Sequence, residues 1–144
     1  MSVIGSGAEH EQQAQEVGRL LAERGATVVC GGYGEVMEAA ARGAKDAGGT
    51  TIGILPGESD AGANDWLDHV VVTGIGHARN LAVAASGDAV VAVGGSWGTL
   101  AEIGFAMRLG RPTVILEPGW AIDGVPRAAT PLDAVETVLR RVGR

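Results

Sequence analysis

Arg79, Thr99 and Glu102 are the residues of this sequence whose types and settings could do chemistry, and each sits beside a glycine-rich turn. Thr99 and Glu102 close the run Gly94-Gly95-Ser96-Trp97-Gly98-Thr99-Leu100-Ala101-Glu102. Glycines after an apolar run let the backbone bend sharply and come close to a ligand. A helix beginning there aims its free N–H groups and the positive end of its dipole at an anion, most often a phosphate. Gly94-Gly95-Ser96-Trp97-Gly98 has the G-x-S-x-G spacing of a nucleophile elbow, but no Ser-His-Asp set is visible in the sequence, and Ser96 is read as a phosphate donor. The three-residue spacing of Thr99 and Glu102 fits a capping box. It equally lets Glu102 face the glycine turn, and both roles can coexist. Arg79 opens a helix that is otherwise mostly apolar. A surface arginine is the ordinary reading; against it, a cation there opposes the helix dipole unless an anion binds, and a guanidinium suits a phosphate or carboxylate. Trp97 can stack on a base or pack at a subunit contact, with packing favoured because interfaces are rich in aromatics.

These residues need a scaffold, and the pattern around them supplies one. Met1 to Ile4, Ala26 to Cys30, Thr50 to Leu55, Val70 to Val72, Ala89 to Val93 and Pro112 to Leu116 are short apolar runs expected to be strands. Between them, helical spacing covers Ala8 to Arg24, Val36 to Ala47 and about His77 to Ala85, and a further helix follows the Gly94 to Gly98 turn. Trp120 to Arg127 reads as irregular, and Pro131 to Val142 as a closing helix with Thr130 as its cap. Strands alternating with helices imply parallel pairing by right-handed crossovers, hence a single-domain, doubly wound three-layer α/β sheet of Rossmann-like type. Ligands in that architecture sit beyond the carboxyl ends of the strands. The glycine clusters at 5–7, 31–34, 56–57, 74–76 and 94–98 all follow strands, so Gly31 and Gly32 join Gly94 to Gly98 on one edge as ligand-binding candidates. The polar loop from Pro56 to Asp65 is expected to be a lid or rim.

Composition narrows the ligand. A net charge of -6 argues against nucleic acid and anionic membrane surfaces. No basic, apolar leader is present and no apolar segment approaches the ~20 residues of a membrane span, so the chain reads as cytoplasmic. With 46% hydrophobic residues and 24 glycines in 144, some apolar surface should remain for a partner, and a homodimer or homotetramer is expected. Cys30 is read as a small buried hydrophobe. His10, His69 and His77 lack metal-ligand spacing, so neither a metal nor a cofactor is expected. Gly5-Ser6-Gly7 does not complete a dinucleotide fingerprint: the second strand ends at Cys30-Gly31 with no acidic residue to hold a ribose.

Taken together, Gly94 to Glu102, the upstream Ala78-Arg79-Asn80 and the stretch Gly31-Gly-Tyr-Gly-Glu-Val-Met37 resemble the LOG-like proteins, cytokinin riboside 5′-monophosphate phosphoribohydrolases and their relatives. The likeness runs over nearly the whole chain. The family's P-G-G-x-G-T-x-x-E falls on Gly94 to Glu102, and its Arg-Lys pair on Arg79-Asn80. The resemblance implies that Gly95 to Thr99 bind a 5′-phosphate and that Arg79 and Glu102 act at the ribose in cleaving the N-glycosidic bond. Gly94 replaces the motif's proline, Ser96 its second glycine and Asn80 its lysine. These departures resemble the branch that includes molybdenum-cofactor carriers, which implies binding of a phosphorylated ligand without turnover as the alternative. A lysine-decarboxylase label also attaches to the group. Such an enzyme would hold pyridoxal phosphate on a buried lysine, and the single lysine, Lys45, lies away from the glycine edge.

Overall fold

The computed structural model describes all residues, 1–144, and its strands are the short apolar runs bounded by glycine. From the start of the chain the elements run β1 (Ser2–Ser6), α1 (Glu11–Glu23), β2 (Val28–Cys30), α2 (Val36–Asp46), β3 (Thr51–Leu55), β4 (His69–Val72), α3 (Arg79–Ser86) and β5 (Val90–Gly94), with helices between successive strands except for the loop that joins β3 to β4. Then follow α4 (Trp97–Arg108), β6 (Thr113–Leu116), β7 (Arg127–Ala128) and α5 (Pro131–Arg141). Two single turns of 3-10 helix, Ala8–His10 and Gly76–Ala78, lead into α1 and α3. The helix expected from His77 thus becomes a tight turn before Arg79. The two-residue β7, at the end of the stretch read as irregular, is an addition to the expected set.

All six strand pairings are parallel, in the order β4-β3-β2-β1-β5-β6-β7. The chain starts in the middle, winds outward through β2, β3 and β4, then returns to pair β5 against the free side of β1. That reversal is the switch point, where adjacent crossovers diverge to opposite faces and leave a crevice. Ser6 pairs with Gly94 at its mouth, so two glycine turns lie side by side. Their closeness is backbone on backbone: Gly5 has φ 141°, and a β-carbon there would collide with the Val93 carbonyl.

Each face of the sheet is covered by its own layer. One core joins Val3, Val28, Val91 and Val93 to α1, α2 and α5 through Val17, Leu21, Val36, Val135 and Val138. The other joins Ile4, Val90, Ala92 and Ile115 to α3 and α4 through Val83, Ala84, Ile103 and Ala106. β5, buried at every position, carries the apolar run expected of a strand covered on both sides. Cys30 is buried as expected, and its thiol is pushed up to about 11 by that burial. α5 begins as its sequence suggests: Pro131 occupies its first turn and the Thr130 hydroxyl accepts from the Asp133 amide at 3.1 Å.

The layer of α3 and α4 is thin. α4 is apolar nearly all round, yet only Thr99, Ile103 and Ala106 of it are buried. Leu81, Trp97, Phe105, Met107 and Leu109 remain exposed, and so do all three valines of the edge strand β4. No helix is long and apolar enough to cross a membrane.

Candidate functional site

The turn after β5 decides where α4 begins. Gly94 (φ 63°) and Gly95 (φ 143°) occupy conformations that favour glycine, and they bring the chain round so that Ser96 is the N-cap. A β-carbon on Gly95 would stand only 2.9 Å from Thr99. No side chain caps the helix. The first backbone bond of its ladder runs from the Leu100 amide to the Ser96 carbonyl at 3.0 Å, leaving the amides of Trp97, Gly98 and Thr99 as the open helix start. The capping-box alternative is thereby set aside. Thr99 is inside the first turn, and Glu102 lies in the second, too far along to reach back to the N-cap.

Glu102 instead lines a cavity of about 170 Å³ together with Gly31, Arg79, Asn80, Ser96, Gly98 and Thr99. Val3, Ile4, Gly5 and Ser6, from β1, and Met37, from the first turn of α2, complete its walls. Seven of the eleven candidates from sequence therefore meet around one space. Gly32, Gly94, Gly95 and Trp97 are not in its lining. Gly94 and Gly95 shape the turn, and Gly32 (φ 84°) packs so closely that a β-carbon would stand 2.5 Å from Leu55. Trp97 is 77% exposed and tilts against Trp120, with ring centroids 5.5 Å apart. Trp120 in turn donates its indole N–H to the Ser96 carbonyl at 3.2 Å, steadying the turn.

Sequence reasoning missed Met37 and the β1 residues Val3 to Ser6 as walls. All stood in stretches already singled out, the first apolar run with its Gly5-Ser6-Gly7 turn and Gly31 to Met37. The available signal was the adjacency of β1 and β5, which makes the first glycine turn a neighbour of the one after β5.

Arg79 is held inward. Its Nη1 donates to the carbonyls of Gly31, at 2.5 Å, and Ile54, at 3.2 Å, at the carboxyl ends of β2 and β3. Its guanidinium stacks over the Tyr33 ring at 5.6 Å, an arrangement that favours the cation. The absence of a side chain at Gly31 makes room: a β-carbon would overlap the Arg79 guanidinium and the Met37 sulfur. The Arg79 Nε–H is buried without an acceptor, so the cation keeps a donor unspent.

Glu102 feels that cation without touching it, since no ion pair joins the two. Burial pushes its carboxyl up to about 7, and the nearby Arg79 only partly offsets this. The carboxyl thus changes charge near neutral pH, the range in which a group can take or give a proton during turnover. No cluster of three histidine, cysteine, aspartate or glutamate side chains is arranged to hold a metal. Lys45 pairs with Asp68 at 2.8 Å beside Thr51, at the amino end of β3, away from the cavity.

The arrangement is a small concave space lined by open helix amides, a fixed guanidinium and a half-buried, titrating carboxyl. It can seat an anionic group against the amides and act on an atom beside the carboxyl.

A family model described as LDcluster4, the SLOG cluster4 family, matches residues 1–139. An uncharacterized protein of Archaeoglobus fulgidus is 42% identical over 138 residues, covering 94% of this chain and 91% of its own. A cytokinin riboside 5′-monophosphate phosphoribohydrolase of Mycobacterium tuberculosis is 31% identical over 133 residues, 82% of this chain and 68% of that protein. Among solved structures, the molybdenum cofactor binding protein of Rippkaea orientalis superposes with a TM-score of 0.91 at 32% identity, covering 98% of this chain and 95% of the other. The molybdenum cofactor carrier protein of Chlamydomonas reinhardtii does so with a TM-score of 0.90 at 34% identity, covering 99% and 97%.

Proposed function

Because the chain belongs to the SLOG cluster4 family and places Arg79 and a half-buried Glu102 beneath an uncapped helix start, we propose that it binds a nucleoside 5′-monophosphate and hydrolyses its N-glycosidic bond to free base and ribose 5-phosphate. The phosphate accepts hydrogen bonds from the amides of Gly98 and Thr99 and from Ser96 and Asn80, where the helix dipole favours its charge. The ribose lies between Arg79 and Glu102. As the bond from C1′ to the base nitrogen lengthens, positive charge grows on the ring, and the Glu102 carboxylate stabilises it. A water oxygen then bonds to C1′ as the C1′–N bond breaks. Glu102 takes a proton from that water and returns it to solvent, from which the departing base nitrogen takes the proton that completes the free base. Arg79, anchored on two carbonyls, keeps its free Nε–H for a ribose hydroxyl.

The observation that carries this reading is Glu102, half-buried beside Arg79 with its carboxyl raised by desolvation, a costly arrangement for a carboxyl that only binds. The likeness to the phosphoribohydrolase of Mycobacterium tuberculosis supports it. A second reading, a carrier of a phosphorylated cofactor, is favoured by the whole-chain likeness to the two molybdenum-cofactor proteins. It is favoured also by Ser96 and Asn80 standing where the hydrolase motif has glycine and lysine. In either reading the ligand is small and phosphorylated. The apolar outer face of α4 supports a homodimer or homotetramer.

Incubating the purified protein with AMP and cytokinin ribotides, and following free base by chromatography, separates the two. Base release that is lost in Glu102→Ala is the expected result. Ligand-dependent thermal stabilisation with no base released by either form would instead establish the carrier.

A further inference from the structure

Glu35 is the sole non-glycine residue with positive φ, at 56°, in a region that side chains avoid. It precedes α2 at the N-cap position but does not cap that helix. Its carboxylate instead crosses to the turn after β1 and accepts the Gly7 amide at 2.9 Å. A glycine would meet the backbone requirement without strain, so the glutamate's contact with Gly7 is the feature that distinguishes this residue. Glu9 crowds the same turn: its carboxylate comes within 3.0 Å of where a β-carbon on Gly7 would stand. His10, 3.4 Å from Glu9, is an opposing charge only when protonated.

The place matters because of the switch point. Ser6 and Gly94 pair at the crevice mouth, and Ser6 lines the cavity together with Ser96, Gly98 and Thr99 of the α4 start. In dinucleotide-binding relatives of this architecture, the turn after the first strand is where a pyrophosphate rests on free backbone amides. Here one of those amides is already taken by the Glu35 carboxylate, and a second carboxylate, that of Glu9, lies beside the same turn.

We infer that Glu35, with Glu9 beside it, is a specificity-determining residue that limits the pocket to ligands with a single phosphoryl group. This deepens the proposed function and rests on its placement of the phosphate at the start of α4. A monoester held there needs nothing from Gly7. A second phosphoryl group, extending across the β1–β5 junction, would meet the Glu35 charge and find the Gly7 amide occupied.

The test compares wild type, Glu35→Gln and Glu35→Gly by calorimetric titration in magnesium-free buffer, with inorganic phosphate, pyrophosphate, AMP and ADP as probes. The glutamine keeps size and an acceptor oxygen but removes the charge; the glycine also suits the backbone angle. At water-like screening, one neighbouring charge removed about 4 Å away corresponds to about a fivefold change in affinity. The affinity ratio of pyrophosphate to phosphate should therefore rise at least about fivefold in both variants, and that of ADP to AMP in parallel. A ratio unchanged within twofold, or no measurable pyrophosphate binding by either variant, overturns the inference. Failure of AMP to bind while the pyrophosphate ratio rises would sink the nucleotide reading and leave this one standing.

Discussion

Replacing Glu102 with glutamine should make the protein more stable at alkaline pH and leave it little changed at acid pH. The carboxyl is raised from 4.5 to about 7 by burial, so its ionised form is disfavoured in the fold. For such a group, stability is fullest below the unfolded value of 4.5, falls as pH climbs toward about 7, and stays reduced above it. At about 1.4 kcal/mol for each pH unit, the full effect is about 3 kcal/mol, an upper bound because the cavity mouth is partly solvated. Glutamine fills the same space and never ionises. Its advantage over wild type should grow by about 2–3 kcal/mol between pH 5 and pH 8, or very roughly 5–10 °C in Tm for a chain of this size. Denaturant unfolding of both proteins at several pH values measures it. A stability gap that stays flat from pH 5 to 8 would show that Glu102 is already ionised in the fold at pH 5, and would remove the buried-carboxyl argument. The same titration gives a kinetic signature: if the ionised form stabilises the growing ring charge, base release from AMP should fall about tenfold per pH unit below about 7.

Gly31→Ala would push a methyl into the Arg79 guanidinium and the Met37 sulfur; overpacking of this kind costs about 1–3 kcal/mol, and AMP-induced thermal stabilisation should vanish with Arg79 displaced. Thr130→Ala removes the hydroxyl that accepts the Asp133 amide, lowering stability by about 1 kcal/mol in urea unfolding, while the AMP-induced shift stays as in wild type. Phe105→Glu places a charge on the exposed apolar face of α4, and light scattering should then report a smaller assembly than for wild type; an unchanged mass would exclude that face as the subunit contact.

The spacing of Thr99 and Glu102 shows where sequence patterns reach and where they stop. The β5 strand was legible because its apolar run is short, β-branched and ends at glycines, and α5 because Thr130-Pro131 is a helix start written in residue types. These signals are local. β7 was not legible: two residues, Arg127 and Ala128, carry no period, and only the neighbouring edge of β6 makes them a strand. Thr99 and Glu102 were legible as a pair but not as a role, because a three-residue interval fits both a cap and a ligand-facing ridge. What decides between them is the φ of Gly94 and Gly95, which moves the N-cap to Ser96 and carries Glu102 into the second turn.

Glu102's chemistry is a step further from the sequence. Nothing within several residues of it makes it acidic or basic; its carboxyl is raised because α4 packs it against the crevice between β1 and β5, and lowered again by a guanidinium that arrives from α3. Arg79 in turn reaches that position only because Gly31, on the far side of β1 in the sheet order, has no side chain. The working pair is therefore a property of strand order: a chain with the same motifs but β5 placed elsewhere would keep its helix amides and lose its titrating carboxyl. This is also why the motif departures at Gly94, Ser96 and Asn80 do not by themselves decide between hydrolase and carrier. They alter the phosphate side of the cavity, whereas the bond-breaking side depends on Arg79 and Glu102, both retained, so turnover must be measured with the phosphate side saturated.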